Sequence, residues 1–322
     1  MTSPLRSSGV GATGTFLGSP RSDDLVGCRV AALGLPFDMG THPSRIGARG
    51  GPQHVRAHSL LVAEHLADLD VDVMTELGFR DLGDLDLFPG DVAGSYPVIE
   101  AAVAELCAAG VTPLCVGGDG AVTLPQLRAL ARVHGPLAVL HFDAHTDAYP
   151  DVPGAAAAEF SNANPFVHAV REGLVDVSAS VHVGVRDTQA RDTQARDTDG
   201  IVGAARQLGY RVITMSELVD LGVPTVLAEL RATVIGRPVF LCWDMDVFDP
   251  SVAPGVVTPA WGGITVREGL QILAGLGGLH FVGFEVNTVS PPHDLGGQTG
   301  ALAAQVMREC LMLAYLGATP AQ

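Results

Sequence analysis

The sequence predicts an α/β protein: a mainly parallel β-sheet with helices on both faces. Two observations carry this. Apolar segments of strand length alternate with Ala- and Leu-rich helical stretches along the chain. The strand segments are apolar on both faces, as strands buried from both sides in a parallel sheet are. A third observation bears on function. Two of these strands run directly into clusters of acidic residues, and open parallel sheets bind their ligands at the carboxyl ends of the strands.

Residues 1–25 are rich in Ser, Gly and Thr without periodicity and predict a flexible tail. Residues 26–322 contain no linker and read as a single domain. Strands are expected at 28–35, 78–82, 112–117, 137–142, 180–185, 211–214, 239–243 and 280–285. Helices are expected at 52–67, 96–109, 123–134, 224–233 and 265–275, with a last one at 299–315. Residues 151–159, with a run of four alanines, form an irregular stretch whose length suggests a lid or rim loop. Arg186-Asp-Thr-Gln-Ala190 is copied at 191–195 and begun again at 196–198. A five-residue period fits neither helix nor strand and reads as a slipped duplication in a surface loop.

The first acidic strand end is Leu137-Ala-Val-Leu-His-Phe-Asp-Ala-His-Thr-Asp147. Asp143, His145 and Asp147 fall within five residues at the end of an apolar run. Buried charges without partners repel one another or take up protons, and a divalent cation removes that cost. Carboxylate oxygens combined with an imidazole nitrogen suit Mn, Fe, Ni or Zn better than Ca or Mg. The second is Val239-Phe-Leu-Cys-Trp-Asp-Met-Asp-Val-Phe-Asp-Pro250, with the same layout and with Asp244, Asp246 and Asp249. Asp249, just before Pro250, reads as a turn acid.

Composition narrows the function further. With 19 basic and 35 acidic residues the net charge is −16, which argues against nucleic acid and anionic membrane surfaces and is compatible with a cationic substrate. Hydrophobic residues make up 47% of the chain, enough for a large core. The five cysteines form no CxxC pair and read as reduced thiols of a cytoplasmic protein. No signal core or membrane span is evident.

The motifs together resemble the ureohydrolase family of arginases and agmatinases, closest to the agmatinase-like amidinohydrolases. The resemblance rests on Asp-Ala-His-Thr-Asp at 143–147 and Trp-Asp-Met-Asp-Val-Phe-Asp-Pro at 243–250. The loop from Gly40 to Pro52, Val116-Gly-Gly-Asp119, Ala253-Pro-Gly255, Glu285-Val-Asn287 and Ser290-Pro-Pro-His-Asp294 add to it. It covers about residues 28–316 with the motifs in order.

The resemblance implies a three-layer αβα sandwich around an eight-stranded, mainly parallel sheet. It implies a hydrolase of linear amidines that cleaves a guanidino compound, agmatine-like or guanidino-acid-like, to urea and an amine. The implied attacking group is hydroxide held by metal, and the implied cofactor is Mn2+, one or two per chain, with other divalent transition metals open. The implied metal ligands are Asp143, His145, Asp147, Asp244 and Asp246, with Asp143 and Asp244 bridging. Asp147 is also the implied proton carrier, and Glu285 the carboxylate that pairs with the guanidinium. The partners implied are a small cationic guanidino substrate and copies of the chain itself, as a trimer or hexamer.

Two positions depart from the family pattern. Gly120 stands where a ligand histidine is usual, and Asn162 where a substrate-contacting histidine is usual. Asn162 can still hydrogen-bond substrate but does not titrate near neutrality. The metal position that a side chain at 120 would serve is thus expected to be weakened, with His42, His168 and His293 as conceivable replacements. Ala148-Tyr149 replace the polar residues that hold arginine's α-amino acid end in arginases. An alternative reading is a relative with weak or no catalysis that serves as a ligand-binding or partner subunit.

Overall fold

In the computed structural model of the 322-residue chain, residues 14–318 are described apart from 40, 41, 43, 63–70, 150–159 and 187–198. The expected rim loop at 151–159, the repeat beyond Arg186 and the first 13 residues of the expected tail lie outside the described residues.

Eight strands form one sheet: β1 (Val30–Leu35), β2 (Arg80–Asp84), β3 (Thr112–Gly117), β4 (Ala138–Phe142), β5 (Val181–Val185), β6 (Arg211–Thr214), β7 (Val239–Asp244) and β8 (Phe281–Asn287). Their order is β2-β1-β3-β8-β7-β4-β5-β6, and every pairing between them is parallel. All eight coincide with expected segments to within two residues. Strands β1, β4, β5, β7 and β8 are buried at every position, so residue alternation only decides which face a side chain joins.

Two cores result. Leu114, Leu140, Phe142, Leu241, Trp243 and Phe284 face one side. Against them pack α1 (Gly51–Ser59), α2 (Val73–Glu76), α7 (Met215–Val234), α8 (Val266–Gly275) and α9 (Gln298–Ala318). Leu33, Cys115, Val139, Phe240, Cys242 and Val282 face the other, under α3 (Val92–Ala108), α4 (Thr123–His134), α5 (Pro165–Arg171) and α6 (Asp199–Gln207). This is the expected three-layer arrangement.

The differences from expectation have local causes. The α7 helix begins nine residues earlier than expected, capped by Thr214, whose hydroxyl accepts from Glu217 N. It breaks at Gly222 (φ 74°), two residues before Pro224, which lacks an N–H and restricts the residue ahead of it. The tail joins the domain earlier than residue 26. Phe16 and Leu17 are buried, Phe16 meets Phe79 edge-on, and their N–H groups donate to Asp81 and Ser59. Two adjacent large apolar residues bury enough area to anchor a Ser/Gly-rich stretch. Among the described residues no helix is long and apolar enough to cross a membrane.

Candidate metal centre

The parallel sheet brings the ends of β3, β8, β7 and β4 to one rim, and the acids follow from that. Beyond β4, Asp143 N continues the ladder to Val183 O (3.0 Å). Beyond β7, Asp244 caps a single 3-10 turn by accepting from Asp246 N (2.7 Å), which turns Asp246 back toward β4. Ala144 N then donates to Asp246 Oδ1 (3.0 Å), tying the two motifs together. Arg186 clamps the same turn from β5, its guanidinium donating to the carbonyls of Gly184, Asp246, Phe248 and Ala260. Asp249 accepts from Ser251, Gly262 and Gly263 N, the expected turn acid.

Two sets of three side chains can each surround one ion. Asp143, His145 and Asp246 form the first, with ligand atoms within 4.8 Å of one another. His145 Nδ1 lies 3.0 Å from Asp143 Oδ1 and 3.1 Å from Asp246 Oδ2. His141, Asp143 and Asp147 form the second on the same criterion, with His141 Nε2 3.0 Å from Asp143 Oδ2. Asp143 belongs to both.

The donors fit a cation. Asp143 Oδ2 is buried and has no hydrogen-bond partner among the described residues. The chain contains no lysine. Burial, reinforced by neighbouring carboxylates, pushes Asp143, Asp147 and Asp244 above the ordinary carboxylate range. Burial would raise Asp246 too, but the adjacent His145 and the hydrogen bond from Ala144 hold it below that range. Such a group of buried acids is relieved by a divalent ion. Strain is also concentrated here. Asp147 (φ 45°) and Thr288 (φ 64°) both adopt left-handed backbone, at a cost of about 1–3 kcal/mol each. The Thr288 hydroxyl donates to Asp244 Oδ1.

The remaining expected residues fall around this centre. Asp244 stands beside Asp246 and under Thr288 but joins neither set of three. Glu285, on β8 opposite Cys242, is fully buried, and its Oε1 accepts from Thr123 Oγ1 (3.0 Å) and Asn287 Nδ2 (2.8 Å). Burial pushes its pKa up to about 7. Asn162 is adjacent to Gly120: a Cβ built on Gly120 would be 3.1 Å from Asn162 O and 2.7 Å from Asp147 Oδ2. Asp119 is a structural bolt, accepting from Met39 N and Ala121 N. Gly118 before it must be glycine, since a Cβ there would meet the Phe37 backbone at 2.0 Å.

None of His42, His168 and His293 joins either set. His42 accepts from Ser44 N, His293 pairs with Ser290, and His168 packs on Phe160. The imidazole present in the second set is His141, which the sequence reading did not single out. The available signal was its position two residues before Asp143 on one strand, hence on the same face.

A family model described as the arginase family matches residues 28–313. The guanidinopropionase of Pseudomonas aeruginosa is 40% identical over 305 residues, covering 93% of this chain and 91% of that one. The proclavaminate amidinohydrolase of Streptomyces clavuligerus is 37% identical over 92% of this chain and 91% of its own. Its solved structure superposes with a TM-score of 0.87, covering 95% of this chain and 98% of that chain. An agmatinase of Neisseria meningitidis is 36% identical over 87% of this chain and 85% of its own. The chain belongs to the arginase family. Within it, it is an agmatinase-like hydrolase acting on carbon–nitrogen bonds of linear amidines.

Proposed function

We propose that the protein is a metal-dependent amidinohydrolase that cleaves a guanidino acid, or an agmatine-like amine, to urea and an amine, with Mn2+ as its ion. The observation that carries this is Asp143: a buried carboxylate shared by two His/Asp sets, with one oxygen unpartnered among the described residues. An ion bound there supplies a water of lowered pKa and offsets the buried negative charge.

The chain's own residues supply the rest. Glu285 is the carboxylate for the guanidinium, through charge-assisted hydrogen bonds to a planar cation. Thr123 and Asn287 already orient it. Asp147, the only partly exposed member of its set, carries the proton to the leaving amine. Asn162, beside Gly120 and Asp147, hydrogen-bonds the substrate. Asp244, held by Thr288, completes the ligand set. The guanidinopropionase at 40% identity supports a guanidino acid, and Ala148-Tyr149 support it over arginine. The same reading includes a cytoplasmic homo-oligomer, a trimer or hexamer. The five free cysteines suit a reducing compartment.

The test is urea release from guanidinopropionate, guanidinobutyrate, agmatine and arginine, with Mn2+, Ni2+, Zn2+ or Fe2+ supplied. Release from a guanidino acid or agmatine, abolished by chelator and restored by Mn2+, is the expected result. Urea from none of them with any ion overturns the proposal.

A further inference from the structure

We propose that His141 is the imidazole ligand of the second ion, acting with Asp143 and Asp147, and that His182 sets its tautomer. The inference rests on the metal-dependent reading above and deepens it.

The geometry begins with strand register. His141 on β4 lies opposite Cys242 of β7 on one side and His182 of β5 on the other. It is 1% exposed. Its ring contacts Phe166 at 4.5 Å between centroids, so it has little room to rotate. One nitrogen, Nδ1, lies 2.8 Å from His182 Nδ1. The other, Nε2, lies 3.0 Å from Asp143 Oδ2 within the set that includes Asp147. That last contact does not serve as a hydrogen bond, because Asp143 Oδ2 remains without a partner among the described residues. Two ligand atoms bound to one ion at right angles, each about 2.1 Å from it, are separated by about 3 Å.

The histidine pair admits two arrangements, because one Nδ1 must donate and the other accept. If His182 donates, its Nε2 is a bare lone pair with no partner among the described residues. The surroundings oppose this. The His182 ring meets Phe166 and Tyr210 edge-to-face, at 5.1 and 4.5 Å. A lone pair buried among aromatic rings finds no donor there, whereas an N–H can still be accepted by a ring's π face. If His141 donates, His182 Nε2 carries the proton among those rings, and His141 Nε2 is left as a lone pair aimed at two carboxylates. Three electron-rich groups facing one another are relieved by a cation between them. The partner that fixes a ligand histidine's tautomer is a usual part of a metal site, and here it is a second buried histidine. Position 120 offers no side chain, and His141 is the nitrogen donor within the second set. Asp147 Oδ2 already occupies the space beside that glycine.

The experiment uses the full chain, stripped with chelator and titrated with Mn2+ by calorimetry and elemental analysis. The wild type is expected to show two binding steps. His141→Ala and His141→Asn should each weaken the second step by about tenfold or more and leave the first unchanged. The retained first step shows that the variant is folded. His182→Phe should weaken the same step by a smaller factor, as a positioning residue does. On the wild type loaded with two Mn2+ ions per chain, pulsed electron paramagnetic resonance should detect two imidazole nitrogens, from His141 and His145. Both steps unchanged in the His141 variants, or a single coupled nitrogen in the loaded wild type, overturns the assignment of His141 and leaves the metal-dependent reading standing. Failure of the wild type to bind Mn2+ or any other divalent transition ion overturns both.

Discussion

Asp147 occupies the space that any side chain at Gly120 would need. A Cβ built on Gly120 lies 2.7 Å from Asp147 Oδ2 and 3.1 Å from the carbonyl oxygen of Asn162. The carbonyl is backbone and fixed, so the carboxylate must give way. Gly120→Ala is therefore expected to cost about 1–3 kcal/mol of stability by overpacking and to weaken the ion site that uses Asp147 about tenfold. In an Asp147→Ala background the obstacle is gone, and the same substitution should add little. Equal losses of stability in both backgrounds, read by denaturant unfolding of the metal-free proteins, would sink this account. Gly120→His meets the same obstacle, so it gains a nitrogen only by displacing an oxygen ligand and should not raise affinity.

The shared position of Asp143 sets a ranking among the acids. Asp143→Asn should lose both ions, because both sets contain it. Asp147→Asn and Asp246→Asn should each lose one and keep the other. Elemental analysis after dialysis decides it. An Asp143→Asn protein that retains as many ions as Asp246→Asn would contradict the shared-ligand geometry.

At the edge strand β2, Arg56 of α1 forks onto Asp81 at 2.8 and 3.0 Å and also pairs with Asp84. Asp81 is fully buried and accepts from Phe16 N as well. Removing one partner of a buried pair leaves an uncompensated charge, at about 3–5 kcal/mol. Arg56→Met is expected to lower the unfolding free energy by that order. The remaining folded protein should hydrolyse its substrate with unchanged kcat. A denaturant titration that finds no loss would mean that Asp81 finds another donor.

The central strands were legible in the sequence because they are apolar on both faces, whereas β2 at the sheet edge carries Arg80, Asp81 and Asp84. Helices α5 and α6 were not, since each spans only two or so turns and lacks a long periodic face. Pro165 at the first turn of α5 was the available start signal. Phe16 and Leu17 were masked by their Ser/Gly-rich surroundings. The acids of the site could be read as strand-end charges, whereas His141 was hidden inside the apolar run 137–142. What exposes it is neighbouring-strand register, which pairs it with His182 across 41 residues of sequence, and no local pattern contains that.

Glu285 links catalysis to stability. Its carboxyl is fully buried, and burial pushes its pKa from 4.5 to about 7 despite hydrogen bonds from Thr123 and Asn287. The folded protein thus holds this proton more tightly than the unfolded chain does. Between the unfolded and folded values, folding takes up a proton, so the contribution to stability falls as pH rises from about 4.5 to about 7 and is level above. Glutamine has no proton to lose, and its amide oxygen can keep the Thr123 and Asn287 donors. In the metal-free protein, Glu285→Gln is therefore expected to be more stable than wild type at pH 8, by on the order of 3 kcal/mol. The gain should vanish as pH falls below the ordinary carboxylate value. Urea release should be lost in the same variant, because a neutral amide cannot pair with a guanidinium. Denaturant unfolding of both proteins across this range is the measurement. A stability gain that is absent at high pH, or that grows as the pH is lowered, would show that Glu285 is not held in its ionised form at a cost to the fold.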